Sequence, residues 1–418
     1  MKRSLFFLFI MGLLFSACLK DSVTEHYYFF RPVYHTKDEV RNNIKSGAPV
    51  SIQQTGKIVV KDNFVFLNEI DRGIHVINIA DPAKPVNIAF IEIPGCVDIA
   101  INGVNLYADC YTDLVTLDIS NPAMVSVKQF LPGVFPQRYY YGFTADTTKV
   151  ITEWVMVDTV IDKKFEGTFA ASGLLTTAFL SGPVANIGAQ SFAVSSSGIA
   201  IAGSLTRFAL QNNRMYTVSN SDLKVFNVTA PASPSFVSTI ALTQGNIETI
   251  FPYKDKLFIG GQTGMFIYSA SNPDNPQKEG QFIHARNCDP VIAEDKYAYV
   301  TLSTGSSCRG INNQLDVIDI TNLNNPVLIK SYNLTSPRGL SKDGNVLLIC
   351  DGKDGLKIFN AANPSQVSLI KQVTGFEPSD VICLQGTAIT VAKDGLYFID
   401  YSNPNNASVI SKIQINKN

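Results

Sequence analysis

Apolar residues in this chain come in short runs cut by Gly, Asn, Asp and Pro. Residues 58–93 show the grammar. Ile58-Val-Val-Lys is a first strand, Asp62-Asn63 a tight turn and Phe64-Val-Phe-Leu a second strand. Asp71-Arg-Gly73 leads to a third, Ile74-His-Val-Ile-Asn-Ile. Asp81-Pro82 ends it, because proline lacks the N–H that a strand ladder needs, and Asn87-Ile-Ala-Phe-Ile-Glu-Ile is a fourth. Short β-rich runs between such residues are strand-and-turn chemistry.

The unit recurs. Its anchors are Ile77-Asn-Ile-Ala-Asp-Pro82, Thr116-Leu-Asp-Ile-Ser-Asn-Pro122, Phe226-Asn-Val-Thr-Ala-Pro231 and Ile267-Tyr-Ser-Ala-Ser-Asn-Pro273. They continue as Val317-Ile-Asp-Ile-Thr-Asn-Leu323, Ile358-Phe-Asn-Ala-Ala-Asn-Pro364 and Phe398-Ile-Asp-Tyr-Ser-Asn-Pro404. Their ends step by 40, 109, 42, 50, 41 and 40 residues, a period near 40 with one large and one small insertion. No unit carries helical periodicity, which excludes leucine-rich and helical repeats. Four antiparallel strands per unit make one propeller blade. The expected fold is therefore all-β, a seven-bladed β-propeller at 55–416.

Two stretches break the period. Thr24 to Ser46 precedes the first blade as a short N-terminal arm. In it Thr36-Lys-Asp-Glu39 matches a capping box and predicts a short helix from Lys37 to Asn43. Residues 136–204 form an insertion. Arg138-Tyr-Tyr-Tyr-Gly-Phe and Lys149-Val-Ile-Thr-Glu-Trp-Val-Met-Val-Asp can pair as a long hairpin, or as a degenerate eighth blade near 138–161. Gly167 to Gly203, rich in Ala, Ser, Thr and Gly, buries little and reads as flexible. The insertion leaves a fourth strand, which places its exit on the face of the fourth-to-first connections, the top. There it can lid the channel.

Composition narrows the function classes. The 418 residues carry 34 basic and 35 acidic side chains, a net charge of −1. That balance offers no basic excess for nucleic acid. The N-terminus adds an address. Lys2-Arg3 precedes an apolar run from Leu5 to Phe15, too short to span a bilayer and suited to a signal peptide. Phe15-Ser16-Ala17-Cys18 resembles a bacterial lipobox, with Phe15 in place of the usual leucine. The resemblance implies cleavage after residue 17 and a lipid on Cys18. Residues 1–17 are then a signal peptide and 18–54 a lipidated arm, with the lipid as the only membrane attachment. By similarity to enterobacterial sorting rules, Lys20 favours the outer membrane, facing the periplasm or the surface.

Anchors and lipobox together resemble the LVIVD-repeat β-propeller lipoproteins of Gram-negative bacteria. The resemblance covers Lys57 to Pro122, Thr206 to Pro273 and Cys288 to Ile415. It implies a propeller and an envelope location, and supplies no reaction and no catalytic residues.

Candidate chemistry comes from the repeat itself. The first strand of each blade lines the central channel. Counting back from the second strands places Asp98, Arg207, Glu248, Asp289, Arg338 and Asp380 at the channel mouth, and Thr55-Gly56 in the first blade. Such a ring is either a ligand site or a structural network in which the two arginines neutralise the carboxylates. His26, His35, His75 and His284 lack ligand spacing, and Asp351-Gly-Lys-Asp-Gly355 reads as a turn, so no metal or cofactor is expected. No nucleophile elbow or phosphate loop appears. Tyr139, Tyr140, Tyr141 and Trp154 can stack on sugars if exposed, or simply pack. Apart from Cys18, six cysteines remain for an oxidising compartment. Topology pairs Cys288 with Cys308 in the top loops of one blade, and Cys96 with Cys110 across neighbouring strands. Cys350 and Cys383 are expected as buried thiols. The expected role is binding or scaffolding of an unknown envelope protein or glycan through the top face. The alternative is a carbohydrate-binding protein or a hydrolase or lyase working at the mouth ring.

Overall fold

The computed structural model describes residues 22–140, 143–164, 190–192, 198, 200–242, 246–284, 290–304 and 312–415. Cys18, Tyr141, Cys288, Asp289 and Cys308 lie outside them. The chain forms two compact units: residues 1–36 with 139–185, and residues 37–138 with 186–418.

The smaller unit is a two-stranded antiparallel ribbon, β1 (Ser22–Thr36) against β11 (Lys149–Lys164). Phe29 faces Val157, Phe30 faces Met156 and Pro32 faces Trp154. Trp154 packs edge-on to Tyr140 and Phe143, at 5.4 and 5.3 Å. This corrects the expected hairpin. The long strand takes the N-terminal arm as its partner, and the stretch after Arg138 supplies only an isolated bridge between Tyr140 and Phe143. Tyr28, Phe29, Phe30, Val33 and Tyr34 give β1 the β-branched and aromatic content of a strand, which was read only as an arm.

The larger unit begins with α1 (Lys37–Asn42) and β2 (Lys45–Gly47). Seven blades follow, and the described residues form no eighth. Blade 1 is β3 (Ile58–Lys61), β4 (Phe64–Glu69), β5 (Gly73–Asn78) and β6 (Val86–Glu92). Blade 2 is β7 (Ile99–Asn102), β8 (Asn105–Cys110), β9 (Asp113–Asp118) and β10 (Ser126–Leu131). The insertion returns as β12 (Gln190–Phe192) and β13 (Ile201–Leu205). Blade 3 is β14 (Phe208–Gln211), β15 (Arg214–Val218), β16 (Asp222–Asn227) and β17 (Ser235–Ala241). Blade 4 is β18 (Ile247–Tyr253), β19 (Lys256–Gly261), β20 (Gly264–Ser269) and β21 (Gln277–Ile283). Blade 5 is β22 (Val291–Ala293), β23 (Tyr297–Leu302), β24 (Gln314–Asp319) and β25 (Val327–Asn333). Blade 6 is β26 (Leu340–Asp343), β27 (Val346–Cys350), β28 (Leu356–Asn360) and β29 (Ser368–Val373). Blade 7 is β30 (Pro378–Leu384), β31 (Thr387–Ala392), β32 (Gly395–Asp400) and β33 (Ser408–Gln414).

The anchor motif now has a mechanism. Its first acid or amide caps its own turn two residues on. Asn78, Asp118, Asp319 and Asp400 accept from the backbone N–H of Ala80, Ser120, Thr321 and Ser402 at 2.8–2.9 Å. Its second does the same. Asn121, Asn363 and Asn403 accept from Ala123, Ser365 and Asn405 at 3.0–3.2 Å. These are Asx turns, which redirect the chain between third and fourth strands. The carbonyl of the closing proline then serves the preceding blade. Tyr107 Oη donates to Pro231 O at 2.8 Å and Tyr216 Oη to Pro273 O at 3.0 Å. One short motif thus ends a strand and registers a blade. Between blades, fully buried Ile, Val, Leu and Phe such as Ile58, Leu67, Ile267, Val317, Leu347 and Phe398 form the core. Each contributes roughly 1.5–3 kcal/mol by leaving water.

The end of the arm, residues 37–47, is held at the rim. β2 adds to the outer edge of β6, Ser46 facing Ile91. Arg41 reaches Asp113 through Nε at 3.1 Å and Nη2 at 2.6 Å. The end of the insertion departs most from expectation. β12 pairs with β13, and β13 pairs with β3 on its channel side, Ala202 facing Val59. β13 packs on β26 and β30, and β12 on β18 and β30. A two-stranded plug therefore occupies the channel. Gly198 O and Ala200 N bond to Gly103 N and Ile101 O, at the bottom end of blade 2. Of the stretch expected to be flexible, Gln190–Phe192 and the start of β13 are strand. Residues 165–189, 193–197 and 199 lie outside the described residues. Gly203 and Ser204 fit because the axis of a propeller is crowded, and small side chains are what it admits.

Candidate functional site

The top ends of the first strands share one register. Lys57 O accepts from Asn68 N, Asp98 O from Asp109 N, Arg207 O from Val218 N and Gly339 O from Cys350 N, while Asp380 faces Val391. Each pair is eleven residues apart. Side chains alternate along a strand, so one residue of offset turns a side chain to the other face. This sorts the expected ring.

Asp98 and Asp380 belong to it. In blade 1 the position is taken by Lys57, the residue after the expected Thr55-Gly56. Lys57 Nζ donates to Asp98 Oδ2 at 2.7 Å, and both side chains are only 3% exposed. The Arg207 backbone N–H donates to the same oxygen, and Ile99 N–H to Oδ1 at 2.8 Å. Burial pushes the Lys57 ammonium down, against the pull of Asp98. Glu248 is the extra residue of a bulge between Ile247 and Thr249. It accepts from Gln262 Nε2 at 2.9 Å, and burial raises its carboxyl. Arg338 is corrected. Gly339 holds the ring level in blade 6, so Arg338 falls one residue short and its side chain is exposed.

Asp380 is fully buried. Its Oδ1 accepts from Ser204 N–H at 2.9 Å, Ser204 Oγ–H at 3.0 Å and Val381 N–H at 3.0 Å. Oδ2 has no hydrogen-bond partner among the described residues. A Cβ on Gly203 or Gly339 would overlap this carboxylate, so the two glycines form its slot. Burial raises Asp380 to about 7, with Ser204 and Val381 opposing. Beside the ring, Asp109 accepts from Val97 and Asp98 N–H at 2.7 and 2.8 Å, and burial raises it to about 6. Arg138, where the chain leaves blade 2, bonds Asp71 and Gly95 O and lies 4.9 Å from the Tyr111 ring centroid. That pins the insertion's exit to the top.

The mouth is thus filled, with Lys57 paired to Asp98 and the carboxylates of Asp98, Glu248 and Asp380 all buried. A cavity of about 240 Å³ does exist at the lower channel end, lined by Ile201, Phe251, Tyr253, Tyr299, Glu294 and Lys342 among others. Its polar groups bond each other. Lys342 Nζ lies 2.7 Å from Glu294, and Tyr299 Oη 2.9 Å from the same carboxylate. No group of three or more His, Cys, Asp or Glu among the described residues can hold a metal ion.

The expected Cys96–Cys110 bridge is not formed, and both are buried free thiols. The register explains it. With Ile99 facing Ala108, Cys96 falls level with Tyr111 rather than Cys110. Asn68 Nδ2 lies 3.2 Å from Cys96 Sγ instead. Cys350 and Cys383 are buried free thiols. Burial pushes the thiols of Cys110 and Cys383 up to about 12.

Fold and mouth define the class: a seven-bladed β-propeller with a plugged channel. The comparisons support a β-propeller repeat fold. A family model, the LVIVD repeat, matches residues 96–130 and 285–334. No curated protein matches the chain. A functionally unknown protein from Desulfotomaculum acetoxidans is similar in structure, with a TM-score of 0.53 and 13% identity, over 84% of this chain and 95% of that one. A protein from Lactobacillus plantarum is similar too, with a TM-score of 0.51 and 11% identity, over 84% and 96%. At such identities the likeness speaks to fold alone. The chain is a seven-bladed β-propeller with two stretches similar to the LVIVD repeat.

Proposed function

We propose that this protein is a binding or scaffolding propeller of the bacterial envelope, lipidated at Cys18 and meeting an envelope protein or glycan through its top face. The observation that carries the reading is the filled channel. Lys57 neutralises Asp98, Ser204 occupies Asp380, and the insertion's own strand fills the axis. Recognition then falls to the outer surface of the top loops. The alternative, a carbohydrate-binding or hydrolytic mouth, needs carboxylates open to solvent. Asp98, Glu248 and Asp380 are buried. Outer-membrane attachment rests on the lipobox and Lys20.

The test is capture of partners from intact envelopes with tagged protein. A partner retained by the wild type and lost on charge reversal of exposed top-loop residues such as Lys353 and Lys393 supports the reading. Retention by that variant, with loss on altering the lower cavity, overturns it. Cys18→Ala is expected to release the protein from membranes. A variant that stays membrane-bound after a high-salt wash places the anchor elsewhere.

A further inference from the structure

Blade 1 is built wholly from residues near the start of the propeller and blade 7 wholly from its end. Among the described residues no blade strand is shared between them. The seam where the ring closes therefore lacks covalent continuity. Side-chain bonds cross it directly from Ser411 Oγ to Pro82 O at 2.6 Å and from Thr55 Oγ1 to Ala392 O at 3.3 Å. The first is no special closure, because Ser238 Oγ makes the same bond to Asp274 O at 2.6 Å between blades 3 and 4.

What distinguishes the seam is β13. Its Ile201 and Ala202 pair with Val60 and Val59 of blade 1. Two residues later Ser204 donates twice to Asp380 of blade 7 and accepts from Leu340 N–H of blade 6 at 2.7 Å. Gly203 lies against the same carboxylate. One strand of five residues thus grips the first, sixth and seventh blades from inside. We propose that β13 is the clasp that holds blade 1 to blade 7, and that Asp380 makes it a latch that opens more readily once this carboxyl loses its proton, because only opening gives the buried charge water.

The direction follows from the second oxygen. Oδ1 keeps its three donors in either protonation state, whereas Oδ2 sits buried without a partner. A charge there is costly. Neighbouring groups compensate it only in part: Lys57 favours the charge, and burial outweighs it. Lys57, ahead of β3, is committed to Asp98. Lys342 on β26 bonds Glu294, and Asp343 accepts from Tyr401 Oη. In the turn after β27, Asp351 and Asp354 are both bonded to Lys357, and Lys353 is exposed. Cys350, closing β27, is a buried thiol pushed far up and hence neutral. β12, β13 and β31 carry no titratable residue.

Hydrogen exchange on the full-length protein tests both parts. Gly203→Val drives a side chain into the Asp380 slot. Amides of β3 and β30 are expected to exchange about tenfold faster, while β19 and β20 on the far side of the ring keep their rate. Acceleration spread evenly over all blades, or none, overturns the clasp. If that variant does not fold, Ser204→Ala serves, with about threefold expected at the same strands and the same refutations. For the latch, wild-type seam amides are compared at about pH 6 and about pH 8 after correction for intrinsic exchange. The seam is expected to open faster at the higher pH, and Asp380→Asn to abolish the rise. A wild type without the rise, or an Asn variant that retains it, overturns the latch.

Discussion

Replacing Lys57 by methionine removes one partner of a buried ion pair and little of its volume. The partners are 2.7 Å apart and each side chain is 3% exposed, so water cannot take over the vacated contact. Asp98 keeps two backbone donors, Arg207 N–H and Ile99 N–H, which support a carboxylate but do not neutralise it. Breaking such a pair costs about 3–5 kcal/mol, most of it the penalty of a charge left dry. The same logic predicts that removing both charges costs less than the sum. Lys57→Met with Asp98→Asn is expected to fall short of additivity by at least about 2 kcal/mol, because each change relieves the other's stranded charge. Urea unfolding of the wild type, both single variants and the double variant at pH 7 gives the cycle, provided the slope with denaturant is unchanged. A Lys57→Met variant within about 1 kcal/mol of wild type refutes the reasoning. So does strict additivity, which would mean the two groups do not sense each other.

Three other outcomes follow. Asp380 holds its proton to about 7 in the folded protein and releases it at the ordinary 3.8 when unfolded, so the folded state binds the extra proton in that window. Its contribution therefore falls as pH rises from about 4 to about 7, by at most about 4 kcal/mol, and the difference between wild type and Asp380→Asn in urea across that range should trace the fall; parallel curves would contradict it. Arg338→Glu, an exposed substitution off the ring level, should change stability by less than about 1 kcal/mol in thermal unfolding, and a large drop would mean that Arg338 joins the mouth network. Alkylation of native protein should leave Cys96 and Cys110 unmodified until denaturant is added, after which both react without prior reduction; a peptide joining the two would restore the bridge.

The anchors were legible because the chemistry of an Asx turn is local. An Asp or Asn two residues before the N–H it accepts can be seen in any sequence, and it recurs at Asn78, Asp118, Asp319 and Asp400. The mouth was legible only to within a register. Counting eight or nine residues back from each second strand depends on where that strand is taken to begin, whereas the ring level lies eleven residues before its partner on the second strand. The error was one or two residues, enough to put Thr55-Gly56 in place of Lys57 and to bring in Arg338. A lysine at the head of β3, eleven residues before Asn68, was the available signal for Lys57.

The plug was hidden for a different reason. Composition speaks to what a segment can bury by itself, and Gly203 and Ser204 can bury almost nothing. Their value lies in what surrounds them. Around the axis, first strands crowd one another, and the space beside Asp380 admits no Cβ at Gly203 or Gly339. A segment of larger residues would have looked more like a strand and would not have fitted. The same property that made the stretch read as loose is the one that lets it lie between blades. Small polar residues in a long propeller insertion therefore deserve testing as channel strands before they are dismissed as linker. The pairing of β1 with β11 teaches the complementary point. Two strand-like segments separated by more than a hundred residues found each other, where reading along the chain sought a neighbour.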